Sequence, residues 1–315
     1  MSPALVVGVD VGGTNIEAGL VRPDHQVLGR RKAATPAGGP DAVLDTIEML
    51  VGTLGGDPVA VGVGVPGVVH GGEVLTVPNL PGWIRPIDLA TELTKRLDLP
   101  VALGNDANVG LLGEWVAGSA AGAENVLGVW LGTGVGGGLI LGGQPFTGVH
   151  GAAGEIGHVL IRADGALCHC GRRGCVEAYA GRRAMEHTVG VMVGAGCVTS
   201  LHEIRDRYGK ARLTSKVWAR ALAQDDPLAV EVFAAAVEAI GIGVANAVVL
   251  TDVDTVVVGG GLAEKLGQGL ADRIATAAQP WLLARHARLR FIAAALGDDS
   301  GVVGAAALAR RSGSC

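Results

Sequence analysis

No Asp, Glu, Lys or Arg occurs between residues 125 and 154. A run of that length could cross a bilayer, but 11 of its 30 residues are glycine and Gln144-Pro145 interrupts it. A solid transmembrane helix is therefore excluded. The glycines keep no every-third-residue period, which excludes a collagen. Charge is scarce throughout, at 17% of residues and a formal net of −5, and the mean hydropathy is +0.41. That combination excludes a disordered chain and argues against a general nucleic-acid surface. Aromatic residues are only 3% of the chain, and no GxxxxGK[ST] loop occurs, so there is no Walker A site. The N-terminal residues carry no basic run ahead of a long apolar core, so the expected location is the cytoplasm.

Glycine is what the chain has in excess. There are 52 in 315 residues, more than twice average usage, which calls for backbone that turns tightly or approaches something closely at many points. The length suits two domains. Leu5–Val9 reads as a strand running into Asp10-Val-Gly-Gly-Thr-Asn15, with Ile16–Val21 and Val27–Ala34 returning as a meander. A helix introduced by Pro40-Asp41, a buried strand at Val59–Val65, and a helix at Ala107–Ala117 follow. About 120 residues on, the pattern restarts: strand Asn125–Leu131, turn Gly132-Thr-Gly-Val-Gly-Gly-Gly138, strand Leu139–Leu141. This implies an internal duplication with a hinge near 106–118. Residues 1–108 are expected to form a small α/β domain, joined by a closing helix at 302–315. Residues 109–301 would form a larger one with an insertion at 154–177. Asp226-Pro227 should cap a long helix to Leu250, and the strand Asp254–Val258 delivers Gly259-Gly-Gly261.

Three constellations can carry chemistry. A carboxylate at a strand end followed by Gly12-Gly13-Thr14 surrounds a small concavity with free N–H groups and a hydroxyl. That suits phosphate oxygens, and Asp10 can hold Mg²⁺ directly or through water. Gly132-Thr133-Gly134 repeats this chemistry, and Gly259, Gly260 and Gly261 offer a bare surface where an adenine could lie. Asn105-Asp106 opens a helix, where an aspartate serves as cap and also stays ionised. Such a carboxylate can orient a hydroxyl and accept its proton late in a loose phosphoryl transfer. Finally, His158, Cys168, Cys170 and Cys175 make a closed four-donor set, the pattern of a structural zinc, with Gly171 and Gly174 letting the loop wrap. His169 competes for the fourth place but sits awkwardly between two cysteines. Cys197 and Cys315 lack such context. Glu155 and Glu177 flank the loop, where paired carboxylates could grip vicinal hydroxyls.

Taken in order, these residues resemble the ROK (repressor, open reading frame, kinase) family, and within it the sugar kinases of glucokinase type. The resemblance rests on Asp10-Val-Gly-Gly-Thr-Asn15, Val63-Gly-Val-Pro-Gly67, Pro78-Asn-Leu80, Asn105-Asp-Ala-Asn108, Leu131–Gly138, Gly154-Glu-Ile-Gly-His158, Cys168–Cys175 with Glu177, and Gly259–Gly261. It implies an actin-like (ribonuclease-H-like) fold of two α/β domains around a cleft, with ATP, Mg²⁺ and a hexose as substrates. By position, Asp106 would be the base for the sugar 6-hydroxyl. Gly67, Asn79, Asn105, Glu155, His158 and Glu177 would line the sugar pocket, His158 using one ring nitrogen for zinc and the other for sugar. The resemblance also implies a homo-oligomer, dimer or tetramer. Asn15 stands where many members carry lysine, so no cationic phosphate ligand is expected there. Rival readings are a kinase of an amino or N-acetylated hexose and a non-catalytic sugar sensor. A DNA-binding arm like that of the family's repressors is not expected ahead of Leu5.

Overall fold

The computed structural model describes residues 4–77, 82–283 and 288–312, and the chain divides into two compact units. The first comprises 1–123, 143–153 and 295–315, and the second 124–142 and 154–294.

In the first unit, five strands lie in the order β3–β2–β1–β4–β7. They are β1 (Val6–Val11), β2 (Asn15–Val21), β3 (Val27–Ala34), β4 (Ala60–Val65) and β7 (Val101–Asn105); β5 (Val68–His70) and β6 (Glu73–Thr76) form a separate ribbon. The meander β1–β2–β3 is antiparallel, whereas β1, β4 and β7 run parallel. Every residue of β4 is buried, as a parallel strand covered on both faces requires, while edge strand β3 is largely exposed and carries Arg30, Arg31 and Lys32.

Gly19, Gly8 and Gly62 face one another across β2, β1 and β4. The C-terminal helix Asp299–Arg311 lies directly on this bare row: a Cβ on Gly8 would overlap the Val302 carbonyl, and one on Gly62 the Ala305 carbonyl. The helix Asp106–Ala117 packs as closely on the same C-terminal helix, since Gly113 abuts the Ser300 carbonyl and Gly304 the Val109 carbonyl. Residues 109–123 therefore belong to the first unit along with 1–108. Buried Glu114 completes the join by accepting hydrogen bonds from the Ala295 and Leu296 N–H groups at 3.0 and 2.8 Å and from Ser119.

The second unit has its own sheet, in which β8 (Val126–Leu131) pairs antiparallel with β9 (Val135–Leu141) and parallel with Thr255–Gly259; that strand pairs parallel with Arg290–Ala293. Helix Pro227–Thr251 starts as expected, with the Asp226 side chain accepting from Ala229 N–H at 2.8 Å. Among the described residues it is the one helix long and apolar enough to cross a bilayer, and its Leu228, Val232, Phe233, Ala236 and Ile240 are buried in this unit's core. Helices Arg182–Gly194, Leu201–Arg207, Ser215–Leu222 and Gln268–Ala278 are additions to the sequence reading. None has a side-chain N-cap bond: two start after Gly181 and Gly267, which have no capping side chain, and at the other two Ser200 and Thr214 hold the cap position without making that bond.

Candidate active site

Asp10 lies inside β1, one residue before its end, and not in the turn beyond it, because Asp10 and Val11 still pair with Glu17 and Ile16 on β2. The turn then closes through Gly12 N–H on the Asn15 carbonyl at 2.9 Å. Thr35 clamps it from β3's end, donating its N–H to the Thr14 carbonyl at 2.9 Å and its hydroxyl to the Gly12 carbonyl at 2.6 Å. Asp10 is pushed up to about 7, first by burial and then by the carboxylates of Asp106, Glu17 and Asp298; Lys32, paired with Glu17, offsets this in part. Gly301 of the C-terminal helix is bare because a Cβ there would sit 2.5 Å from the Asp10 carboxyl carbon. A cluster of acids crowded in this way suits a divalent cation.

Asp106 opens its helix, but the cap is Asn105, whose side-chain oxygen accepts from Asn108 N–H at 3.0 Å. The reason is the backbone: Asn105 keeps extended dihedrals as the last residue of β7. Asp106 Oδ1 accepts from Ala107 N–H at 2.8 Å and from Asn105 Nδ2 at 3.1 Å, and that same Nδ2 donates to the Gly67 carbonyl at 2.9 Å. Gly67, Asn105 and Asp106 are thus brought together as expected, with Gly67 at φ 101°. Asn79 lies outside the described residues, as does Cys315.

In the second unit, Glu177 reaches the second glycine turn. Its Oε2 accepts from Val135 N–H at 2.9 Å, and a Cβ on Gly134 would displace that oxygen from the turn. Glu155 is raised by burial and by its neighbour Glu177, so the two carboxylates share one site. His158, Cys168, Cys170 and Cys175 offer donor atoms all within 4.8 Å of one another, with His158 Nδ1 to Cys168 Sγ and Cys170 Sγ to Cys175 Sγ both 3.8 Å. Donors roughly 2.0–2.3 Å from one tetrahedral zinc stand about 3.5–3.8 Å apart, so the set fits that ion. His158, not His169, completes it. Gly171 and Gly174, at φ 87° and 78°, form the loop's reversals. Burial pushes Cys168 up to about 12; at Cys170 burial also raises the thiol, but the Arg172 N–H and guanidinium, with Cys168 and Cys175, outweigh it and hold it at about 6.

Gly259, Gly260 and Gly261 meet the protein on their side-chain faces. A Cβ on them would press on the Trp130 indole, the Leu131 backbone and the Ser215 hydroxyl respectively, at 2.9, 2.7 and 2.9 Å. The bareness of this turn is explained by packing on that face. Sequence reasoning passed over Arg182 and Ser215. Arg182 Nη2 donates to Thr133 Oγ1 at 3.1 Å and Nη1 to Ser215 Oγ at 3.2 Å, which links the second and third turns.

The two α/β units, each built on a strand–glycine turn–strand meander, define an actin-like ATPase fold. The chain belongs to the ROK family, whose model matches residues 6–312. It is 36% identical to a glucokinase of Streptomyces coelicolor, across 97% of this chain and 98% of that protein. It is 32% identical to an N-acetylmannosamine kinase of Escherichia coli, across 96% and 98% of the two chains. Among solved structures, a ROK family glucokinase from Streptomyces griseus in complex with glucose and AMPPNP superposes with a TM-score of 0.84 at 35% identity, covering 98% of this chain and all of that one.

Proposed function

We propose that the chain is an ATP-dependent hexokinase acting on the 6-hydroxyl of glucose. The observation that carries this reading is the coupling of two carboxylates in the first unit. Asp106, fixed at a helix start by Asn105, is close enough to Asp10 to raise its pKa. In this reading Asp106 takes a proton and Asp10 holds a cation. The glucokinase relative and the glucose–AMPPNP complex of the similar structure support the choice of substrates.

Asp106 orients the sugar hydroxyl and accepts its proton as the oxygen attacks the γ-phosphorus in line and ADP leaves. Proton loss is late in a loose transition state, so a weakly basic carboxylate suffices. Asp10 would hold the Mg²⁺ that accompanies ATP, whose charge would offset that of the phosphoryl oxygens. Thr14 and Thr133, with Gly12, Gly13, Gly132 and Gly134, cradle the phosphates. Gly259–Gly261 flank the adenine. Glu155, Glu177 and His158 Nε2 hold the hydroxyls nearer the anomeric carbon, and Asn105, Gly67 and Asn79 hold the far side of the ring. His158 Nδ1, Cys168, Cys170 and Cys175 would hold a structural zinc, which would fix His158 and the loop that carries it. The enzyme works in the cytoplasm as a dimer or tetramer.

The N-acetylmannosamine kinase relative favours a second reading, an N-acetylated hexose as acceptor. ADP release measured over a panel of hexoses and N-acetylhexosamines, with ATP, GTP and polyphosphate as donors, decides between them. Glucose with ATP should give the highest kcat/KM. Turnover confined to N-acetylated sugars would establish the rival, and sugar binding without any turnover would make the chain a sensor.

A further inference from the structure

Arg182 is partly buried beside the second glycine turn, and among the described residues no carboxylate comes within ion-pair distance of it. Glu186, one helical turn on, is occupied elsewhere: it accepts from Arg212 Nε at 2.8 Å and from Leu213 N–H at 3.3 Å. The guanidinium instead donates to two hydroxyls, Thr133 Oγ1 and Ser215 Oγ. Glu186 thus attracts the Arg182 guanidinium only from a distance, and Arg212 beside it opposes that attraction. Covering a cation whose nearest carboxylate is spent on another arginine is costly, so the arrangement favours a further negative partner that is not part of the chain.

The surrounding donors narrow what that partner is. The first two amides of helix Arg182–Gly194 are spent on the turn itself, Arg182 N–H on the Gly132 carbonyl at 3.3 Å and Arg183 N–H on the Thr133 carbonyl at 3.1 Å. The helix start is therefore not the anion site. The guanidinium has five N–H donors, of which two are used. Because Thr133 Oγ1 accepts from Arg182, its own hydrogen is left to donate forward. A guanidinium and a hydroxyl donating side by side match two oxygens of one phosphate group. The first turn, Asp10–Asn15, contains no Lys or Arg that could supply this charge.

We propose that Arg182 is a substrate-binding residue that holds a phosphate oxygen of the donor nucleotide, with Thr133 as its co-ligand. The proposal rests on the ATP reading above and deepens it. Calorimetric titration of the wild type, Arg182→Gln and Arg182→Lys with Mg·ADP and with adenosine separates the possibilities, with thermal melting as a check on the fold. Arg182→Gln should weaken Mg·ADP by about ten- to a hundredfold, the usual scale for a charged hydrogen bond, and leave adenosine unchanged. Arg182→Lys, which keeps the charge and loses the fork, should fall between. Equal losses for ADP and adenosine, or no loss for either, would overturn the proposal and leave Arg182 a structural tie between the turns. A wild type that binds ADP no better than adenosine would instead contradict the ATP reading itself.

Discussion

Glu177 accepts a hydrogen bond from the backbone N–H of Val135, 2.9 Å away, and its other oxygen lies 3.8 Å from Cys168 Sγ. One carboxylate thus ties the glycine turn at 132–134 to the cysteine loop. In the proposed enzyme it also holds sugar, and two substitutions separate these roles. Glu177→Ala should lower stability by about 1–3 kcal/mol, because Val135 N–H loses its partner. Glu177→Gln keeps an acceptor for that N–H, so the melting temperature should hold while KM for the sugar rises. A KM unchanged in the glutamine variant would confine Glu177 to the structural role.

Cys170→Ser should empty the four-donor site, since a thiolate is lost where only four donors converge. Metal analysis should find about one zinc per wild-type chain and none in the variant. Hydrogen exchange should speed up within 154–177, and KM for the sugar should rise because His158 and Glu177 are anchored there. Zinc content equal in the two proteins would remove the metal from the account.

The crowded carboxyl of Asp10 sets a pH dependence. Its folded value, about 7, stands above the ordinary 3.8, so between these the native state keeps a proton that the unfolded chain has lost. Stability of the metal-free protein should therefore fall as pH rises from about 4 to about 7. Asp10→Asn should abolish this fall and be more stable than the wild type at pH 8, by a few kcal/mol at most, while losing activity. Melts in EDTA across that range check the sign; a wild type that gains from Asp10 on going to high pH would reverse it.

Two glycine substitutions should act in opposite directions. Gly62→Ala drives a methyl into the Ala305 carbonyl and should cost several kcal/mol, on the scale of an overpacked core. Gly190→Ala, on an exposed helix face with nothing within 4 Å, should add about 0.5–1 kcal/mol through helix propensity. Chemical denaturation of both variants is the check.

That contrast shows where the sequence was legible. Motif glycines such as Gly12, Gly132 and Gly171 could be read from their neighbours, because a carboxylate, a threonine or a cysteine beside each names the chemistry. Gly8, Gly62, Gly113 and Gly304 carry no such mark; they are bare because a helix from the far end of the chain lies on them. The same limit hid Arg182, whose partners Thr133 and Ser215 stand 49 and 33 residues away. It also hid the packing at Gly259–Gly261, since Trp130 and Ser215 meet them only in the fold. The strands, the long capped helix and the His–Cys set were readable because periodicity, capping and ligand spacing are local.

The central claim is that Asp106 removes the proton of the attacking hydroxyl. Asp106→Asn keeps the size of the side chain and its hydrogen-bonding oxygen, yet cannot take up that proton. Calorimetry should show glucose bound nearly as in the wild type, while kcat for ADP release falls by about 10²–10⁴-fold. Turnover near the wild-type rate, with glucose bound, would contradict the account.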